Sequence, residues 1–258
     1  MKEELASILI TNFNKENFLK KTVISCLYQS YSKKEILVFD DCSTDNSIKI
    51  LKRFKYIRVY KNKKKKFNSG PLNQIYGIKE LFKKSKGKII FLLDGDDQFK
   101  KNKLNILFKK FKNNKNLQFI QDRPYLNHKK KYIALKKKYH LFSIWPSFYP
   151  TSCIAMRKNF FKEFLKYAEE KKYPNLEIDA RLSMFAFLSK NFNIDKKSLT
   201  IYNHDQYGVT SNYSKYTINW WKKRNEAFSY FTFLNKKLDL PFLKGPDYFI
   251  TKFINLFI

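Results

Sequence analysis

Apolar runs of strand length alternate with helix-period segments through the first hundred residues, and that alternation restricts the chain more than any other feature. Residues 5–11, 35–39 and 88–93 are β-forming, nearly uninterrupted apolar runs, and residues 56–60 make a shorter one. Between the first two, residues 16–30 place Phe18, Leu19, Val23, Leu27 and Tyr28 near one face of a helix. Residues 42–45 supply N-cap types for a helix running to Phe54, with Ile48, Ile50 and Leu51 as its apolar side. Gly70-Pro71 opens another helix, proline sitting in the first turn where its missing N–H costs nothing, and Gly87 closes it. Strands alternating with helices in this way predict an α/β fold with a mostly parallel central sheet and helices on both faces. Ligands of such sheets bind beyond the strand carboxyl ends. Thr11, Asp40, Asp41 and the acids at 94–97 all fall there, so polar residues far apart in sequence are expected at one sheet edge.

The acids are the chemically pointed part of that edge. Asp94-Gly95-Asp96-Asp97 follows directly on the apolar run, three carboxylates in four residues. Like charges this close repel and cannot be buried unpaired, so a cation is expected beside them. Carboxylate oxygens suit Mg²⁺ or Mn²⁺, whose shells are commonly completed by phosphate oxygens. The competing reading is a turn that only closes a strand, Asp and Gly being ordinary turn residues.

The formal net charge of +31 invites a nucleic-acid reading, but residue choice argues against it. Arginine stands only at 53, 58, 123, 157, 181 and 224; the rest of the positive charge is lysine, whereas bidentate recognition of bases and phosphates favours arginine. Lysine together with abundant Asn, Ile and Phe is what AT-rich coding produces, so no nucleic-acid partner is expected. A surplus this large still draws a protein toward anionic surfaces. No apolar run reaches the roughly 18 residues of a membrane span, and Met1-Lys2-Glu3-Glu4 lacks a signal peptide's layout. The expectation is a cytoplasmic protein, with a peripheral position on the inner face of the membrane left open. Cys26, Cys42 and Cys153 have neither disulfide-framework nor zinc-site spacing.

Beyond Asp97 the expected elements are a helix at 101–112 with Leu104, Leu107, Phe108 and Phe111 inward, a strand at 117–121 and a basic loop or hairpin at 128–138. An aromatic stretch at 139–150 follows, then a strand at 152–156, helices at 159–170 and 178–189, an extended segment at 192–202 and a long helix at 214–236. Residues 246–258 read either as a core or dimer helix or as a segment lying on a membrane. A homodimer is left open on the same ground.

Four segments in order resemble glycosyltransferase family 2, with the nucleotide-diphospho-sugar transferase fold called GT-A. They are Ser7-Ile-Leu-Ile-Thr-Asn-Phe-Asn14, Ser25-Cys-Leu-Tyr-Gln-Ser30, Glu35-Ile-Leu-Val-Phe-Asp-Asp-Cys-Ser-Thr-Asp45 and the Asp-x-Asp-Asp cluster. The resemblance implies a donor subdomain over residues 1–125 and, in the same compact domain, an acceptor-side subdomain with a helical, aromatic elaboration over 126–258. It implies a metal-dependent, inverting transferase that moves sugar from a nucleotide-diphosphate donor, a UDP-sugar favoured. The acceptor would be a glycan or lipid-linked saccharide of a bacterial surface polysaccharide. Thr11, Asn14, Asp41, Asn73, Asp94 and Asp96 would bind the donor, with Thr11 and Asp41 toward base and ribose. Asp96, with His204, would hold the Mn²⁺ or Mg²⁺. The base would be Glu177 or Asp179, Asp179 preferred; Ile178 separates two acids that are adjacent in the family. Leu72 stands where the family often has a basic residue, so a lysine from 62–68 or Arg157 would meet the phosphates. A basic protein that keeps the fold but binds nucleic acid or an anionic surface is the alternative.

Overall fold

The computed structural model describes residues 4–134, 147–203, 213–241 and 244–258. Its first half runs β1 (Ala6–Asn12), α1 (Glu16–Leu27), β2 (Lys34–Asp40), α2 (Ser47–Leu51), β3 (Arg58–Lys61), α3 (Gly70–Lys84) and β4 (Ile89–Asp94). After it come β5 (Gln98–Phe99), α4 (Lys103–Asn113), β6 (Phe119–Leu126), β7 (Lys131–Tyr132) and a 3₁₀ turn at Thr151–Cys153. Then follow β8 (Ile154–Arg157), α5 (Lys158–Phe164), α6 (Ile178–Leu188), β9 (Ile194–Tyr202), α7 (Ile218–Lys237) and α8 (Pro246–Ile254).

Among the described residues these strands form one sheet in the order β3-β2-β1-β4-β8-β6-β9-β5, with β7 added to β6. The first four are parallel, as the alternation with helices requires. The antiparallel pairs are β8 with β4 and β6, β5 with β9, and β7 with β6, while β6 and β9 run parallel.

Both sheet faces are buried, which is why the strands read as continuous apolar runs. Leu9, Leu37, Phe39, Ile90 and Leu92 point into a core with α3, α5, α6 and α7. Their neighbours Ile8, Ile10, Ile36, Val38, Phe91 and Leu93 point the other way, against α1, α2 and α4. Gly77 of α3 lets that helix approach β2, since a Cβ there would lie 2.6 Å from the Phe39 ring.

Several expectations need correction. Helix α1 stops at Leu27 and leaves Tyr28 73% exposed, not on its inner face. Helix α2 is only five residues long: the side chain of Asp45 caps both its start, through Ser47 N, and that of α1, through Glu16 N. Helix α5 ends at Phe164, and residues after it fold around Arg181, whose guanidinium donates to the carbonyls of Ala168, Glu169, Lys172, Tyr173 and Leu176. The expected strand at 152–156 begins instead as the 3₁₀ turn. Residues 246–258 do not make a core helix, because Phe249, Ile250 and Phe253 face outward. The aromatic residues at 139–146 lie outside the described residues.

Candidate active site

The parallel register brings the carboxyl ends of β1, β2 and β4 level: Asn12 pairs with Asp40, and Thr11 with Asp94. The acidic turn is then clasped from several sides. Gly95 N donates to Thr11 O at 2.9 Å, and Thr22 Oγ1 donates to Gly95 O at 2.9 Å. Glycine lets the turn close on β1, since a Cβ at Gly95 would sit 2.7 Å from Asn12 Oδ1 and 3.2 Å from Thr11 O. The first functional result of the fold is therefore a rigid acidic loop at the floor of a cleft of about 670 Å³, within the usual range for ligand sites.

Its three carboxyls have different surroundings. Asp94 Oδ1 accepts from Gln74 Nε2 at 2.6 Å and Thr11 Oγ1 at 3.3 Å. Burial, then the charges of Asp96 and Asp179, push its carboxyl up to about 7. Asp96 lines the cleft with its Oδ2 2.7 Å from Lys15 Nζ. Asp97 lies beneath, fully buried; Asn203 N donates to its Oδ1 at 2.8 Å, and among the described residues its Oδ2 has no hydrogen-bond partner. Burial and the two neighbouring carboxylates hold Asp97 far above the ordinary carboxylate range. Asn203 also donates to Asp96 O at 2.6 Å, tying the end of β9 to the turn.

Asp41, Asn73 and Thr11 line the same cleft as Asp94 and Asp96, so five of the expected donor residues converge. Asp41 accepts from Asn62 Nδ2 at 2.9 Å. Asn73 closes both hydrogen bonds to the backbone of Phe67, each 2.9 Å, and thereby pins the lysine-rich loop. Asn14, with φ of 51°, bridges loops instead: its Oδ1 accepts Thr44 N at 2.8 Å. Lys65 lines the cleft with its ammonium 3.5 Å from the Phe13 ring centroid. Arg157 does not take that place. β8 runs antiparallel to β4, so Arg157 pairs with Ile89 at the far end, where it donates to the Leu117 and Phe111 carbonyls.

The opposite wall comes from the start of α6. Glu177 is ion-paired with Lys223 of α7, and Asp179 Oδ1 accepts Ala180 N at 2.7 Å in the helix's first turn. Tyr213 donates to Asn175 Oδ1 at 2.9 Å, and Asn175 in turn donates to Glu226. Burial and the Glu177 charge push Tyr213 up to about 12. Past these residues the cleft continues for about 410 Å³ between Phe148, Tyr202, Tyr213 and Trp220.

Some participants carried little sequence signal. Lys15 and Gln74 follow directly on Asn14 and Asn73, and proximity to those positions was the available clue. Lys103 had none: in a helix of exposed lysines it is fully buried, 2.6 Å from the buried Asp122, and it donates to Ser152 O and Thr200 Oγ1, each at 2.7 Å. That pair props β6, β9 and the 3₁₀ turn under the acidic loop.

Among the described residues no three His, Cys, Asp or Glu side chains cluster as a metal cage, and His204 lies outside the described residues. The donor set nevertheless fits a hard cation that takes one or two carboxylates and completes its shell with phosphate oxygens. Asp94 and Asp96 supply hard oxygens at the cleft floor, and Asp96 already attracts an ammonium group there.

The family model for glycosyl transferase family 2 matches residues 7–190. The Escherichia coli protein WfaP, UDP-Glc:alpha-D-GlcNAc-diphosphoundecaprenol beta-1,3-glucosyltransferase, is 35% identical over 104 residues, 40% of this chain and 39% of WfaP. The chain spans less than half the length of the curated relatives it matches. Staphylococcus aureus TarS 1-349 in complex with UDP-GlcNAc superposes with a TM-score of 0.62 at 13% identity, over 87% of this chain and 66% of that one. Mannosyltransferase PcManGT from Pyrobaculum calidifontis in complex with GDP-Man and Mn²⁺ gives 0.58 at 11% identity, over 95% and 66%. These likenesses show the GT-A fold.

Proposed function

Because the chain belongs to glycosyl transferase family 2, we propose that it moves a sugar from a nucleotide-diphosphate donor to a saccharide or lipid-linked saccharide, inverting the anomeric centre. The observation that carries this reading is the pairing of Asp94 and Asp96 on the cleft floor with Asp179 on the facing wall, near enough for its charge to reach Asp94. Residues 1–125 form the donor half and 126–258 the acceptor half. Thr11 and Asp41 lie toward the nucleoside, and a uridine nucleotide is favoured, since a carboxylate accepts from an imide N–H and from ribose hydroxyls. The UDP-Glc in WfaP's name and the UDP-GlcNAc bound to TarS support that preference.

Asp94 and Asp96 would hold Mn²⁺ or Mg²⁺, with His204 a further candidate ligand. When bound, the cation offsets charge on the departing diphosphate, worth several kcal/mol. Lys65, which lines the cleft, would meet the phosphates in place of a basic residue at position 72. Asp179 takes the proton from the acceptor hydroxyl. Asp179 is preferred to Glu177 because it faces Asp94 across the cleft, while Glu177 is ion-paired with Lys223. One base and an in-line attack suffice for inversion, so no second carboxylate nucleophile is needed.

The acceptor enters along the aromatic continuation of the cleft, whose rings suit the apolar faces of sugars. A lipid-linked saccharide is the acceptor class that the diphosphoundecaprenol-linked acceptor in WfaP's name supports, and its use in a bacterial surface polysaccharide at the inner face of the membrane belongs to the same proposal. A panel of nucleotide sugars, assayed for donor hydrolysis with and without Mn²⁺, tests the reading. It predicts cation-dependent turnover that falls with Asp96→Ala and, for transfer, with Asp179→Asn. Tight, salt-sensitive DNA or RNA binding indifferent to nucleotide sugars would instead favour a nucleic-acid protein on the same fold.

A further inference from the structure

Helix α8 is docked with its sides reversed. Its polar residues face the protein: Asp247 pairs with Arg224 of α7, Arg224 Nε donates to Thr251 Oγ1 at 3.1 Å, and Thr251 is fully buried. Lys252 donates to Asn225 Oδ1 at 2.6 Å and to Ser229 Oγ at 3.3 Å, and Asn255 Nδ2 donates to Trp221 O at 3.2 Å. The apolar residues face solvent. Phe249, Ile250, Phe253, Leu256 and Phe257 are 53% to 77% exposed, and their spacing places them on one stripe, from the helix into the turn after it. Soluble helices bury the apolar side, and a contiguous outward patch of this kind marks an interaction surface.

We infer that this stripe seats the protein on an anionic lipid surface. Charge decides between the two simplest occupants. Residues 214–258 carry eight basic and three acidic side chains, with no acid after Asp247, and the whole chain is at +31. A second copy brings the same positive field to the contact and is repelled, whereas an anionic bilayer is attracted. Apolar insertion with a basic surround is how interfacial helices bind membranes. Lys244 stands at the head of the stripe, 5.3 Å from the Tyr248 ring centroid. The partner helix α7 also carries Trp220, Lys223 and Arg224, which line the aromatic end of the cleft, so docking through α8 brings that end close to the lipid. The docking stands without the transferase reading; only the choice of a lipid-linked acceptor rests on it.

Co-sedimentation of the full chain with phosphatidylcholine vesicles, with and without phosphatidylglycerol, tests the inference. Binding is expected to the anionic vesicles, to weaken with added salt, and to fall more than about tenfold in F249E/F253E/F257E, three side chains whose combined burial is worth well over a tenfold change. Phe253→Ala alone is expected to weaken binding without adding charge. Because these side chains touch solvent, nucleotide-sugar binding in the absence of vesicles is expected to stay at the wild-type level, which separates this outcome from failure of the donor site. Equal partition to both vesicle types, or unchanged binding by the triple variant, overturns the inference. So does a wild-type dimer in light scattering that the triple variant abolishes, since the stripe would then be an interface between copies.

Discussion

Asp94→Asn exchanges stability against cation binding in a direction that depends on pH. In the cation-free protein the Asp94 carboxyl is raised from 3.8 to about 7 by burial, then by the charges of Asp96 and Asp179. A folded-state value above the unfolded one means the native state binds the extra proton, so stability falls as pH rises from about 4 to about 7 and is level beyond. The gap corresponds to about 4 kcal/mol of ionisation cost at pH 8, at 1.36 kcal/mol per pH unit. The carboxyl borders an open cleft, so water lowers the realised figure, and about 1 to 3 kcal/mol is expected. Asparagine keeps an oxygen for Gln74 Nε2 and Thr11 Oγ1 and removes the charge. Urea denaturation in EDTA at about pH 8 and about pH 4.5 measures the difference. The variant is expected to exceed wild-type stability by the larger margin at the higher pH and by a smaller one at the lower, while losing Mn²⁺ affinity. A variant less stable than wild type at pH 8, or a difference independent of pH, would falsify the account of the acidic loop.

The buried Lys103–Asp122 pair gives a second prediction: Lys103→Met alone costs about 3 to 5 kcal/mol because it strands a carboxylate, and Lys103→Met with Asp122→Leu recovers most of it in the same denaturation assay. Asp179→Asn is expected to lower the transfer rate about 10²- to 10⁴-fold with little change in donor affinity, and Glu177→Gln by much less, as single-turnover kinetics will resolve. Lys65→Ala is expected to weaken nucleotide-sugar binding by calorimetry with little change in the melting temperature, its ammonium resting on the exposed Phe13 ring. Arg181→Met, which leaves the carbonyls of Ala168, Glu169, Lys172, Tyr173 and Leu176 without their donor, is expected to destabilise the fold by several kcal/mol and to expose the chain there to limited proteolysis.

The acidic sheet edge was legible because period and chemistry coincide there. Apolar runs that end in Thr11, Asp41 and Asp94 state both the strand and the sheet edge, and parallel register aligns them without any further information. Legibility falls where a contact has no local pattern. β5 is two residues long and owes its existence to its pairing with β9, which begins about a hundred residues later. Arg157 and Lys65 were equal candidates by charge, and only the antiparallel direction of β8 sends one to the far end of the sheet. Lys103 sits in a run of lysines with nothing to mark it, yet Asp122 and Thr200, distant in sequence, make it the buried one. Helix α8 reads as an ordinary amphipathic helix; that its polar side is the inward one follows from Arg224 reaching Asp247 and Thr251 from α7.

Calorimetric titration of UDP-sugars into the protein, with and without Mn²⁺, for wild type and Asp96→Ala, tests the central claim most directly. Saturable binding that needs the cation and disappears in Asp96→Ala is the predicted result. Nucleotide-sugar binding of equal strength in Asp96→Ala, or none to the wild type from the whole nucleotide-sugar panel with the cation present, would contradict it.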